Sequence, residues 1–371
     1  MATRVYSIDS MRIIAMLFVV VIHTNPFAGV GGYGNVLNFL LETVGRFAVP
    51  FFFITAGYFF AMKTADGPVW PYLRRRFSSI GSLYLLGIVL ALPVFVSGTV
   101  TSAYAAGESV PRAVAAHLMR TVSPIELLYY GTSVSEILWF LPALFVSLAA
   151  ISVFVVTETE RYLLPVSVGL HLVGLLAASY TMVIDLSFQF RDGLFFGFFY
   201  TTMGYYVYTS EWQPTRDRST LYLAVTIVFG LLHVVERFIL GYWLPGQTFS
   251  AGVYSPTYTL FTAVSTLALF IFLLSRPSLG ESTPLPSWGA YAVGIYVVHP
   301  PVLFVFEQVG DAILAVSTHS VVVILWHLLF TPATFFGALA VYLILHRLHV
   351  IEIGGSHLPS WPHIRSKQPQ R

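Results

Sequence analysis

Arg12 and His23 are separated by ten residues, Ile13 to Ile22, and every one of them is apolar. An offset of eleven residues at about 100° per residue returns to within about 20° of the same helix face, about 16 Å further along the axis. The two ionisable groups therefore share one stripe of one helix. If that helix crosses a bilayer, Arg12 lies near one surface and His23 is carried roughly halfway through the hydrocarbon, where an ionisable side chain is costly and is by default a functional candidate. A guanidinium is a permanently charged fork for anions, and an imidazole is a base or nucleophile near neutral pH. A core histidine satisfied by a neighbour is the plainer alternative, but packing does not explain the arginine on the same stripe. A second constellation lies in Tyr291-Ala-Val-Gly-Ile-Tyr-Val-Val-His-Pro-Pro301, where Tyr296 and His299 are three apart and two prolines follow. The residue before a proline is pushed away from helical geometry. His299 is therefore expected at a break with free carbonyls, of the kind tolerated in a membrane only where it lines a cavity.

The elements that must position these residues follow from composition. Of 371 residues, 56% are hydrophobic and only 10% charged, and the mean hydropathy is +0.77. An average soluble domain carries about 25% charged residues. The charges are clumped, leaving ten apolar windows long enough to be spans: Ser10 to Ala28, Asn38 to Met62, Phe77 to Ser97, Glu136 to Val156, Tyr162 to Met182, Gly193 to Tyr208, Leu221 to Tyr242, Thr257 to Leu274, Ser287 to Gln308 and Ser320 to Leu345. The segment Val110 to Leu128 reads as an amphipathic helix lying on the membrane, and Gly98 to Ser135 as the longest loop. The fold class is thus all-α, a polytopic transmembrane helical bundle of about ten spans. Residues 1–353 form the membrane domain and 354–371 a short cytoplasmic tail. No small-x-small cleavage site follows the first apolar run, which is read as a retained span.

Orientation follows from lysine and arginine. With the N-terminus cytoplasmic, fourteen of the nineteen basic residues fall on the inner side, counting Arg12 at the boundary. Arg46, Arg112, Arg120, Arg191 and Arg237 are left in or near the outer half. Both termini are then cytoplasmic, and His23 and His299 lie at matching depth beyond the midplane. The absence of cysteine excludes disulfides, thiolate nucleophiles and cysteine-ligated metals. A net charge of +2 suggests no nucleic-acid partner, and no motif calls for a metal.

Other polar and small residues fall inside the spans. In the second window, Pro50 and Ala56-Gly57 predict a kinked helix able to approach a neighbour closely, or ordinary helix packing. The fourth window places Glu136 near the outer surface with Trp139-Phe140 one turn deeper.

On these residues the chain resembles the acyltransferase 3 family of integral membrane acyltransferases. The matches are Asp9-Ser-Met-Arg-Ile-Ile-Ala15 with Arg12 ahead of His23, Pro50-Phe-Phe-Phe-Ile-Thr-Ala-Gly-Tyr58, Arg74-Arg-Arg76, Trp139-Phe-Leu141 and Tyr296-Val-Val-His-Pro300. They run in the family's order across nearly the whole chain. Thr55 stands where many members have serine and Ser10 where many have glycine. The appended extracytoplasmic domain of some members is not present in this sequence, so the membrane domain is expected to complete acyl transfer.

The resemblance implies an acyl-CoA-dependent O-acyltransferase, taking a group, usually acetyl, from cytoplasmic acyl-CoA. The acceptor would be a hydroxyl of a carbohydrate or other surface-exposed or lipid-linked molecule at the cell membrane of a prokaryote. No metal cofactor is expected. Arg12 and Arg74, Arg75 and Arg76 would suit the phosphates of coenzyme A, although three arginines beside a span are also what the positive-inside rule produces. His23 would act as general base or as a nucleophile forming an acyl-imidazole. Glu136 would be its first carboxylate partner, with Asp185 and Asp192 behind it. His299 would donate to the developing oxyanion, and Tyr58, Trp139 and Tyr296 would shape the acceptor pocket. The rival classes are a proton-coupled transporter or flippase without covalent chemistry, against which no repeated half is visible, and a glycosyltransferase, which would be expected to carry larger extracytoplasmic loops.

Overall fold

The computed structural model describes residues 4–65, 67–181, 190–210, 212–251, 256–317, 319–352 and 355–356. Among these residues thirteen α-helices follow one another: α1 (Tyr6–Thr24), α2 (Gly31–Gly45), α3 (Ala48–Thr64), α4 (Val69–Ala105), α5 (Val110–Thr121), α6 (Phe140–Val156), α7 (Leu163–Ala178), α8 (Phe198–Thr209), α9 (Ser219–Phe238), α10 (Leu260–Ser275), α11 (Leu285–Trp288), α12 (Ala292–Val316) and α13 (Ser320–Arg347). Among the described residues the only strands are a two-residue antiparallel pair, Ile351–Glu352 with Gly355–Ser356. Each of the ten apolar windows holds a helix. Seven helical stretches among the described residues are long and apolar enough to cross a membrane, and Phe140–Val156 and Leu260–Ser275 are shorter apolar helices. The proposed tail lies almost wholly outside the described residues.

Three expectations about helix limits are corrected. The window Asn38 to Met62 is not one kinked helix: α2 ends at Gly45 and α3 starts at Ala48. Pro50 has no N–H for the carbonyl of Arg46, so the ladder is interrupted at that join. The stretch from Gly98 to Ser135 is mostly helical: α4 runs 37 residues, through Pro93, to Ala105 and α5 follows. At 1.5 Å per residue α4 is about 55 Å long and exceeds a hydrocarbon core of about 30 Å. Helix α5 contains no fully buried residue, as a surface helix should not. The helix carrying His299 does not break at its prolines, since α12 continues through both Pro300 and Pro301.

The densest packing in the bundle joins α3 to α8. A Cβ at Gly57 would lie 1.8 Å from the Thr201 carbonyl oxygen, and one at Gly204 would lie 1.9 Å from that of Ile54. The two backbones touch because neither helix carries a side chain there, the close approach that Ala56-Gly57 signalled. Around this crossing Phe51, Phe53, Phe60, Phe198 and Tyr200 are buried. Lipid is as apolar as these rings, so shape fit and van der Waals contact hold the pair together.

Gly57→Val should therefore cost more than the about 1–3 kcal/mol usual for overpacking, seen as a large fall in melting temperature or loss of the monodisperse peak of purified protein. Gly81→Ala, at a helical position with nothing within 4 Å, should be neutral or slightly stabilising. Equal melting temperatures for Gly57→Val and the native chain would contradict the contact.

Candidate active site

Helix α1 is clamped at both ends. At its start, Ser7 donates from its backbone N–H to Pro277 O (3.1 Å) and from its hydroxyl to Leu273 O (2.7 Å). Arg4 donates to Pro286 O (3.1 Å) and to Asp9 (2.7 Å), and the Asp9 carboxylate raises the Arg4 guanidinium above its ordinary pKa. Gly289 lies so close that a Cβ would meet the Asp9 carbonyl oxygen at 2.0 Å. At the far end, Thr24 shares a hydrogen bond with Thr331 of α13 (2.7 Å), and Asn25 adopts a left-handed conformation that ends the helix.

The stripe between these clamps has the predicted order. Arg12 lies 3.8 Å from Asp9 and is near enough to Arg76 of α4 for the two cations to act on each other. Arg74 and Arg75 are exposed and Arg76 half-buried, so of the three only Arg76 is drawn toward Arg12. Next along the stripe, Met16 and Val19 line an apolar slot of about 20 Å³ with Val49, Phe52, Phe140, Ala292, Val293 and Tyr296. That is room for about one water-sized group. At the end, the rings of His23 and His299 stand 5.5 Å apart, centroid to centroid, tilted by 40°.

His299 is fully buried and its tautomer follows from the backbone. Its Nδ1 donates to Tyr296 O at 2.7 Å. In an unbroken helix that carbonyl would accept from the N–H of residue 300, but residue 300 is proline and has none. The free carbonyl predicted from the Pro-Pro pair is thus present inside a continuous helix, and the side chain of His299 fills the missing bond. With Nδ1–H committed, the neutral ring presents Nε2 as a lone pair, and Nε2 has no partner among the described residues. A donor role toward an oxyanion would need the ring protonated on both nitrogens.

Tyr296 lies 5.7 Å from the His299 ring and 5.6 Å from that of Phe140, and its hydroxyl donates to Ile137 O. Trp139 is buried against Phe53 and Phe196, with the Arg191 guanidinium over its ring at 5.1 Å. Trp139 and Tyr296 therefore flank Phe140 next to the histidine pair. Tyr58 is not with them: its ring packs on Tyr208 and Phe270 in a separate cluster.

The carboxylates are arranged differently from the expectation. Among the described residues the groups acting electrostatically on His23 are His299, Arg46 and Arg191, with no carboxylate among them. Asp192 accepts from Phe195 N and from the Tyr129 hydroxyl, both at 2.8 Å, and so caps a π-helical turn, Gly193–Gly197, ahead of α8. Asp185 lies outside the described residues. Glu136 is exposed and lines a separate cavity. Sequence reasoning missed Arg46 and Arg191 as neighbours of His23, although their placement against the positive-inside bias was a signal. Arg46 is held by an ion pair with Glu42, whose second oxygen is 3.5 Å from the fully buried Arg237. Among the described residues, no three His, Asp or Glu side chains come together as a metal site would require.

These features define a class: an all-helical, multi-pass membrane protein with a histidine pair inside its bundle. The sequence model of the acyltransferase 3 family, described as an acyltransferase domain, matches residues 5–346, and the chain belongs to this family. Relatives include a serine/alanine racemase of Enterococcus gallinarum, 24% identical over 79% of this chain and 40% of that protein. An amino-acid racemase of Enterococcus faecalis is 25% identical over 84% of this chain and 43% of that protein. The chain thus spans about two fifths of the length of the curated relatives it matches. No solved structure gives a significant match.

Pro300→Ala restores an N–H that competes for Tyr296 O. Nitrogen NMR of labelled histidine should show His299 as a single Nδ1–H tautomer in the native chain and as a mixture in the variant. Acyl transfer should fall by about tenfold, about 1.4 kcal/mol in barrier. An unchanged tautomer in the variant would remove Pro300 from this role.

Proposed function

We propose that this acyltransferase takes an acyl group, acetyl being the usual one in its family, from cytoplasmic acyl-CoA and delivers it to a hydroxyl of a carbohydrate or other surface-exposed acceptor. The observation that carries this reading is the polarity of one helical stripe. Arg12 and Arg76 gather at one end, His23 meets His299 at the other, and an apolar slot lies between. Arg12, whose nearby carboxylate Asp9 is also engaged by Arg4, and the neighbouring Arg76 suit the phosphates of coenzyme A. The pantetheine arm would run along the stripe and place the thioester beside the imidazole.

His23, half-buried and with no hydrogen-bond partner among the described residues, is the member of the pair open to a substrate. As general base it takes the acceptor hydroxyl proton while that oxygen attacks the thioester carbon. A C–O bond forms, the C–S bond breaks, and the proton passes from the imidazole to the leaving thiolate. As nucleophile it would carry the acyl group as an acyl-imidazole between two such steps. The buried Nε2 lone pair of His299 can orient the His23 ring by accepting its N–H. The orientation of the chain, with both termini and the Arg12 end cytoplasmic, rests on the lysine and arginine bias. A prokaryotic cell membrane is supported by the bacterial source of the relatives. Their racemase names describe proteins of which this chain covers about two fifths, and that activity is not carried over.

Purified protein in vesicles with [¹⁴C]acetyl-CoA should release free coenzyme A and label an acceptor in a membrane extract. His23→Ala should abolish both, a loss of at least about a thousandfold for a group acting directly in the reaction. Arg12→Ala and Arg76→Ala should raise the half-saturating acetyl-CoA concentration about tenfold each, about 1.4 kcal/mol per lost contact to a charged group. A His23→Ala variant transferring label at the native rate would sink the mechanism, and a carrier without chemistry would release no coenzyme A.

A further inference from the structure

Arg237 of α9 is the largest fully buried side chain among the described residues. A permanent charge inside a membrane bundle is costly and marks a functional candidate. Its guanidinium is directed at α2. Nε donates to Pro256 O at 2.8 Å, Nη1 donates to the Thr43 hydroxyl, Nη2 lies 3.5 Å from Glu42 Oε2, and the fork lies over the Phe39 ring at 5.6 Å. Phe39, Glu42 and Thr43 all belong to the last two turns of α2. The other carboxylate oxygen of Glu42 pairs with Arg46, the residue at which α2 stops.

Arg46 stands in the join between α2 and α3, where the backbone ladder is interrupted, so its direction depends on Glu42. That join is packed against the helix of His23. A Cβ at Gly45 would lie 3.1 Å from Ile22, and the Phe47 ring meets that of Phe18 edge-on at 5.5 Å. Arg46 is 10% exposed and acts on His23 more strongly than Arg191 does, and Arg191 is exposed and lies over Trp139.

The histidine pair leaves one step of acyl transfer without a donor. When the acceptor oxygen attacks the thioester carbon, the C=O electron pair moves onto the carbonyl oxygen. The oxyanion then collapses, the C–S bond breaks, and the departing thiolate takes the proton that His23 received from the hydroxyl. His299, as a neutral ring, has no N–H left for that oxygen, because Nδ1–H is committed to Tyr296 O.

We propose that the Arg46 guanidinium stabilises this oxyanion and that Arg237, acting through Glu42, is the positioning residue that holds it there and keeps the group positive. The proposal deepens the acyl-transfer reading above and rests on it. Charge explains why a second arginine is present. A lone Arg46–Glu42 pair is neutral and offers little to an anion, whereas Arg46, Glu42 and Arg237 together carry net +1. A donor fixed before reaction in a low-dielectric site is worth far more than one in water.

The test follows coenzyme A release and label transfer from labelled acetyl-CoA to a membrane extract, with the full chain in vesicles. Arg46→Gln should lower the maximal rate about a hundredfold, the loss usual for one oxyanion donor, with half-saturating acetyl-CoA unchanged. Arg237→Gln should lower the maximal rate about tenfold, again without a change in half-saturation, and Arg237→Lys, which keeps the charge, should lose less. Adding Glu42→Gln to Arg237→Gln restores net +1 and leaves an amide oxygen to accept from Arg46, so most of the lost rate should return. A merely structural network predicts the opposite, because the second loss compounds the first. A native maximal rate in Arg46→Gln or Arg237→Gln, a double variant slower than Arg237→Gln, or an effect confined to half-saturation would overturn the proposal. So would loss of the monodisperse peak by both Arg237→Gln and the double variant. Failure of the native chain to release coenzyme A would instead overturn the acyl-transfer reading.

Discussion

A neutral imidazole donates through one nitrogen and accepts through the other, and the centre of this bundle is organised by how Pro300 settles that choice for His299. The proline withholds an N–H from Tyr296 O, and Nδ1 of His299 takes the carbonyl in its place. The ring is thereby fixed in rotation and tautomer, with its lone pair free beside His23. The same turn carries Tyr296, whose hydroxyl reaches Ile137 O at the approach to α6. That approach carries Trp139, and Trp139 carries Arg191. A single missing backbone donor thus feeds a sequence of contacts that runs from the histidine pair to the cavity lined by Arg191 and Glu136.

Charge is placed with similar economy. Buried or half-buried cations in a low-dielectric bundle need compensation. At one end Asp9 is shared by Arg4 and Arg12, and at the other Glu42 is shared by Arg46 and Arg237. In each case two guanidiniums compete for one carboxylate, which leaves the neighbourhood positive. At the Arg12 end that excess faces the approach proposed for coenzyme A. At the His23 end Arg46, itself paired with Glu42, and Arg191 act on the imidazole. The mechanism accordingly gives His23 a histidine neighbour in place of the carboxylate expected for it.

The stripe from Arg12 to His23 was legible because helical period and bilayer depth are both arithmetic on residue number. The matching depth of His299 and the close approach at Gly57 were legible on the same grounds. The helix break was not: the preference of a pre-proline residue is a local bias, and the packing of α12 together with a side-chain hydrogen bond outweighed it. Asp192 looked like a free acid because its role is to cap a π-helical turn that has no sequence signature. Tyr58 could not be separated from Trp139 by composition in a chain that is 16% aromatic.

The sequence by itself determined that this is a helical membrane protein with ten apolar helical windows, and it placed an arginine and a histidine on one line along the first of them. Those properties depend on neighbours along the chain and on the thickness of the surrounding solvent. Which groups face that line was decided only by tertiary structure: His299 against His23, Arg76 toward Arg12, and Arg191 between the pair and the cavity. Each partner comes from a helix remote in sequence, and its position depends on close backbone packing and on hydrogen bonds that must be satisfied where water is absent.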